Sequence, residues 1–264
     1  MKLLFLCLLL AMTSGIGTLA YASRLAGVRA RSINNSGTLY NMLTLVSRFS
    51  NMMILPLVGS LVERAIRTGD LDRLTMEFRY MLLAQAVGIL LSGFMIPTAS
   101  EVFYRMIFKL KTHKSLVMVM RKESTIANGR TIMKLIRIPR WSRETFRLEG
   151  IPRRFLWVNL IVHTIYGVGY LAAVYSGALS PDTRLISSNL SGAVNGFATM
   201  ALYMLIDPVV NVLSDEVMEE KRSPEDLERT VTWLTIGRFV GALFSQILLY
   251  PLGILFVWLS VYFN

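Results

Sequence analysis

The sequence predicts an all-α integral membrane protein: about six transmembrane helices and a large basic cytoplasmic loop with interfacial helical segments, in one polytopic domain over residues 1–264. Three observations predict it. Hydrophobic residues make up 53% of the chain and the mean hydropathy is +0.50. The apolar residues gather in six runs, 3–22, 37–62, 79–97, 155–178, 188–213 and 234–261, each near or above the ~20 residues that span a bilayer. The charge gathers too. Residues 105–154 carry fourteen Lys and Arg against Glu123, Glu144 and Glu149, a net of +11, equal to the formal net charge of the whole protein.

The first run (3–22) begins like a secretory signal and has Ala20-Tyr21-Ala22 where a cleavage site would stand. Its basic n-region is only Lys2, however, and Arg24, Arg29 and Arg31 follow at once. Basic residues there tend to stay cytoplasmic, so the run reads as a retained span. Ser14, Thr18 and Tyr21 are its polar residues. The second run (37–62) is the unusual one. Asn41, Thr44, Arg48 and Asn51 recur at spacings of three and four, which puts them on one helix face. Pro56 is expected to kink or end that helix. The third run (79–97) offers Gln85, Gly88 and Ser92.

The loop after it (98–154) mixes apolar and basic residues. Phe103, Ile107, Leu110 and Lys114 follow helical spacing, as in a helix lying in the cytoplasmic interface. Residues 130–155 place a basic residue at about every third position, interleaved with Ile, Leu, Trp141 and Phe146. Such a segment sets topology or gathers anionic headgroups, at about 1 kcal/mol per Lys or Arg near the surface. Nucleic acid is the weaker alternative, because two spans clamp the loop at the membrane.

The fourth run (155–178) aligns Asn159, His163, Tyr166 and Tyr170 on one face. The fifth (188–213) aligns Ser188, Gly192, Asn195, Thr199, Tyr203 and Asp207, and Pro208 then bends it. The sixth (234–261) carries Arg238 near its cytoplasmic end, and Gly237, Gly241 and Ser245 form a small-residue packing edge. Isolated Ser, Thr, Asn and Gly in such helices ordinarily serve packing, which accounts for the first, third and sixth stripes. Arg238 is expected to snorkel to headgroups.

Of the 28 Lys and Arg, twenty fall in the first, third and fifth loops and six in the even loops and at Lys2. The positive-inside rule therefore puts the odd loops in the cytoplasm and both termini outside. The short loops alone balance, so the large loop decides. Several chemistries are excluded. Cys7 is the only cysteine, and His113 and His163 lack metal-ligand spacing. No GxSxG, HExxH or P-loop pattern occurs. No enzyme activity, metal or cofactor is expected.

An arginine in mid-bilayer costs about 2.5–3.5 kcal/mol on insertion scales, so Arg48 must face the bundle interior. It lies about 16 Å from the cytoplasmic end of its run, and Asp207 roughly 9 Å from the same side. The two form a structural ion pair, or they line a hydrated cavity where the guanidinium fork grips a phosphate. Spacing leaves both open.

Three stretches carry a resemblance: "TLAYASRLAGVRARS" (18–32), "LVSRFSNMMILPLVG" (45–59) and "GRFVGALFSQILLYPLG" (237–253). They are similar to the Amj family of bacterial membrane proteins, the alternate lipid II flippases. The resemblance implies transport of lipid II, the undecaprenyl-pyrophosphate-linked peptidoglycan precursor, from the inner to the outer leaflet of the cell membrane. It brings no established catalytic set. The candidate path therefore rests on the stripes: Arg48, Asn41, Thr44, Asn51, Asp207, Tyr203, Asn195, His163 and Arg238. Arg24, Arg29 and Arg31 stand at the cytoplasmic entrance, to contact pyrophosphate or to fix orientation. Expected partners are lipid II, membrane lipids and cell-wall synthesis proteins. The rival functions are a transporter for another anionic lipid or solute, and a scaffold for cell-wall enzymes.

Overall fold

The computed structural model describes residues 1–113, 136–139 and 142–263. Among these, six helical segments are long and apolar enough to cross a membrane. They are α1 (Lys2–Arg29), α2 (Ile33–Thr68), α3 (Leu71–His113), α4 (Arg153–Leu179), a broken segment over Pro181–Met218, and α7 (Pro224–Tyr262). The broken segment joins a 3-10 turn (Pro181–Thr183), α5 (Arg184–Ala201), a π-helical turn (Leu202–Ile206) and α6 (Asp207–Met218). A short 3-10 helix, Arg143–Phe146, precedes α4.

Helix α7 starts where the sequence chemistry says it should. Ser223 accepts from the Asp226 amide at 3.3 Å, and Asp226 accepts from the Ser223 amide at 3.3 Å. Pro224 takes the first helical position, where a missing N–H costs nothing. Pro56, Pro97 and Pro251 do not end their helices. Long membrane helices absorb the lost bond because neighbouring helices hold the backbone in place. Pro208 is different. It cannot donate to the carbonyl of Met204, and the wider π turn stands at that position.

Two differences from the sequence expectations concern α3 and α2. Helix α3 does not stop at residue 97; it continues to His113. The apolar face read as interfacial packs instead on the bundle: Met106 and Ile107 are buried against Ala26 and Leu39. The stretches 114–135 and 140–141, including Lys114 and Trp141 of the predicted loop segments, lie outside the described residues. Helix α2 has 36 residues, about 54 Å at 1.5 Å per residue, and so outreaches the ~30 Å hydrocarbon core.

Two helix pairs are built on close approach. In the pair α1–α3, a Cβ at Gly88 would lie 2.1 Å from the Ala11 carbonyl oxygen. In the pair α4–α7, a Cβ at Gly237 would lie 2.3 Å from Asn159 Nδ2, and Ser245 Oγ donates to the Thr164 carbonyl at 3.1 Å. The small-residue edge of α7 thus faces α4. Ser47 Oγ donates to the Thr13 carbonyl at 2.8 Å, tying α2 to α1.

The apolar core has two main parts. One, toward the N-terminal half of α1 and the C-terminal halves of α2 and α4, centres on Leu6, Leu10, Ile54, Val58, Phe78, Met81 and Leu171. The other, toward the opposite ends, centres on Tyr21, Tyr40, Ile206, Val210, Leu227 and Leu234. Between them α1, α2, α4 and α7 each pass through a polar stretch. The end beside the second part carries the basic loop and is called here the basic end. At the far end, Glu77 is held by Arg64 and by Arg73 (3.3 Å), and Glu63 pairs with Arg184 at 3.2 Å.

Candidate functional site: a polar layer with two half-buried arginines

The polar layer lies where Arg48 of α2 and Arg238 of α7 meet α1 and α4. Both line a cavity of about 30 Å³ with Tyr21, Tyr40, Ser47 and Tyr166. That is room for a water or two. Arg48 is 15 residues from the start of α2 and Arg238 is 14 from the start of α7, so both lie about 20 Å inside the basic end.

The Arg48 guanidinium sits over the ring of Tyr203, 4.2 Å from its centroid. Tyr203 stands in the π turn, so the break in the fifth span presents a ring face to the cation. Arg238 does not snorkel. Its Nη2 lies 3.5 Å from the Ser14 carbonyl oxygen, and Gly17 leaves room for it. The cause is local packing: Gly17 of α1 has no side chain to block the guanidinium, and the Ser14 carbonyl offers it an acceptor within the bundle. Neither Arg48 nor Arg238 has a carboxylate within ion-pair distance among the described residues.

The direct Arg48–Asp207 ion pair, one of the two readings of the sequence, does not form. Asp207 is buried and accepts a hydrogen bond from the Tyr40 hydroxyl at 2.7 Å. Over the Tyr40 ring lies Arg24, 4.5 Å from the centroid. Arg24, expected at the cytoplasmic entrance, is 7% exposed, inside the bundle. Tyr21 and Tyr40 rings pack at 5.8 Å. The group Arg24–Tyr40–Asp207 joins α1, α2 and α6 just on the basic side of Arg48.

The remaining path residues separate. Asn51 Nδ2 donates to the Tyr166 hydroxyl at 3.2 Å, across to α4. Thr44 is the exception: it is buried and lines the cavity with Arg48, its hydroxyl returning to its own helix at the carbonyls of Tyr40 and Asn41. Asn41 is exposed and Asn195 half-buried, and neither lines the cavity. His163 is buried in α4, and its Nδ1 lies 3.0 Å from the Asn159 carbonyl oxygen. A carbonyl only accepts, so Nδ1 carries the proton and Nε2 presents its lone pair without a partner. Asn51 Oδ1, Gln85 Oε1 and Asn159 Oδ1 are likewise buried and unpartnered. Buried acceptors without a partner call for water or a ligand.

Arg29 and Arg31 do lie at the basic end. Arg29 pairs with Glu101 at 3.1 Å, stacked over Tyr104, and Arg31 pairs with exposed Glu220 at 3.2 Å. Glu101 also holds Arg137 at 2.8 Å and Arg105 at 3.6 Å. Sequence reading missed Tyr40. The signal was present: the buried polar face of α2 runs through Ser36, Tyr40, Thr44 and Ser47, at helical spacings of four, four and three.

The comparisons bear on this arrangement as a whole. The family model described as "Amj: Alternate to MurJ" matches residues 9–260. A protein of Bacillus subtilis (strain 168) named lipid II flippase Amj is 33% identical over 264 residues, covering 99% of this chain and 98% of the relative. No solved structure matches. The match runs through every helix that builds the polar layer, and the chain belongs to the Amj family.

Proposed function

We propose that this protein is a lipid II flippase, moving the undecaprenyl-pyrophosphate-linked precursor from the cytoplasmic to the outer leaflet of the bacterial cell membrane. Family membership and the name of the relative support the substrate. One structural observation carries the mechanism: two arginines from different helices converge on a polar layer without a paired carboxylate among the described residues. Across the six apolar runs, Asp207 is the only acidic residue, and Tyr40 already engages it. The layer is therefore electropositive, and a pyrophosphate is its chemical complement.

The basic end faces the cytoplasm in this proposal, and both termini face outside. Headgroups gather at the basic loop, and the pyrophosphate is passed to Arg238 and Arg48 while the polyprenyl chain stays in lipid. The cavity of about 30 Å³ is far too small for a disaccharide-pentapeptide headgroup, so the layer must widen during transport. The break at Leu202–Ile206 supplies a place to yield, next to the ring that Arg48 rests on. Broken helices at such depths recur where membrane transporters bind their substrates. The chemistry asked of the protein is electrostatic passage, with no bond made or broken.

The test is complementation. A bacterium depleted of its resident lipid II flippase expresses this chain, and an externally added lipid II-cleaving probe reports outer-leaflet lipid II. Recovery of exposure and growth is expected. Protein present in the membrane without recovered exposure would overturn the substrate and favour another anionic lipid.

A further inference from the structure

Two cavities that the arginine layer does not use lie beside α4, one in its seam with α7 and one at the turn that precedes it. One, about 310 Å³, is apolar and lies between Leu156, Trp157 and Leu160 of α4 and Trp233, Ile236 and Val240 of α7. The other, about 490 Å³, is polar and is lined by Arg147, Glu149, Ile151 and Arg153. They adjoin, because Leu148 and Arg153 line both. Together they make an amphipathic slot, with its polar part at the basic end and its apolar part along a helix seam in the membrane.

The charge at the polar part is specific. Arg153 and Arg154 are exposed at the start of α4 and have no ion pair among the described residues. Arg147 pairs with exposed Glu144 at 3.3 Å, a surface contact worth little. Arg222 and Arg229 close in behind, donating to the carbonyls of Gly150 and Glu149 at 3.3 Å each, but Glu216 and Asp226 already pair with them, so the free charge at the mouth is that of Arg153 and Arg154. The Glu149 carboxylate is the one acidic group lining the polar cavity, so cations dominate. Trp157 is 65% exposed, and the indole nitrogen of Trp233 is buried without a partner. Tryptophan is enriched at membrane–water interfaces, where exposed Trp157 fits.

Gly237 also lines the apolar cavity. That residue presses on Asn159, whose helix bears His163 one turn further, and the next residue of α7 is Arg238. The slot therefore adjoins the polar layer. We propose that it is the docking site of a phosphate-headed polyprenyl lipid from the basic-side leaflet, with the chain between Trp157 and Trp233 and the phosphate at Arg153. Lipid occupies any membrane-facing groove; the unpaired arginines at the mouth select a phosphate. Identifying the docked lipid as the transported one rests on the flippase function proposed above.

Photo-crosslinking tests this directly. Cys7 is the only cysteine, so a Cys7→Ser background allows a single benzophenone label at Val240→Cys inside the slot. Phe49→Cys, on the lipid-facing side of α2, is the control. The full chain is reconstituted in phosphatidylcholine vesicles containing undecaprenyl pyrophosphate, and the adduct is read by mass spectrometry. The expected result is an adduct at Val240→Cys well above the control, falling about fivefold on Arg153→Gln, the effect of one arginine near a membrane surface. Equal adducts at both positions, or no effect of Arg153→Gln, would mean boundary lipid only and overturn the slot. Outer-leaflet lipid II exposure by the unlabelled protein is measured in parallel. Exposure without a selective adduct sinks the slot and leaves the function; a selective adduct without exposure does the reverse.

Discussion

At the scale of residues, the central feature is an arginine without a carboxylate partner among the described residues. Arg48 lies on an aromatic face and Asp207 on a tyrosine hydroxyl, so the two charges are held apart rather than cancelled. Arg48→Gln is expected to leave abundance in the membrane unchanged and to slow lipid II exposure by about 10- to 100-fold, the worth of one charge-assisted hydrogen bond at ~1.5–3 kcal/mol. Quantitative blotting of membranes beside the exposure assay checks both parts; degradation of the variant would make Arg48 a structural residue. Tyr40→Phe removes the donor to buried Asp207 and should destabilise the protein by about 1–3 kcal/mol, read as a lower melting temperature in detergent. The importance of Arg48 was legible because a cation in an apolar run has no ordinary explanation. The burial of Arg24 was not, because its partners Tyr40 and Asp207 come from distant segments. A basic residue just past an apolar run looks the same in sequence whether it meets headgroups or a ring.

At the scale of elements, each of the six apolar runs falls within one of the six long apolar helical segments, and small-residue spacing identified the α7 edge that packs on α4. Helix ends were less legible. Residues 98–113 are amphipathic, and amphipathicity alone does not distinguish a helix lying on the membrane from one continuing past it against α1 and α2. Burial of Met106 and Ile107 against Ala26 and Leu39 is tertiary information. The α1–α3 contact makes an element-scale prediction. Gly88→Val places side-chain atoms where Ala11 backbone already sits. Overpacking of this kind costs about 1–3 kcal/mol or more. Membrane abundance and melting temperature should fall, while Gly192→Val, where a Cβ meets nothing within 4 Å, should leave both unchanged. Normal stability of the Gly88 variant would mean that α1 and α3 are not so closely apposed.

At the scale of the whole molecule, two apolar layers enclose a polar one, and the layer joins residues from α1, α2, α4 and α7 with the broken fifth span. Sequence gave each stripe separately; their common depth follows from helix register and packing, which no single stripe contains. Orientation has its own test. In Cys7→Ser protein, a membrane-impermeant maleimide added to intact cells should label Tyr262→Cys at the far end and spare Lys221→Cys at the basic end; the reverse pattern would invert the proposed topology. The most direct measurement of the central claim uses purified protein in vesicles, following translocation of fluorescent lipid II with and without the charges of Arg48 and Arg238. The account predicts that the intact protein accelerates translocation, that undecaprenyl pyrophosphate competes, and that the Arg48→Gln, Arg238→Gln double variant is inactive though folded. Translocation by that double variant at the intact rate would contradict it.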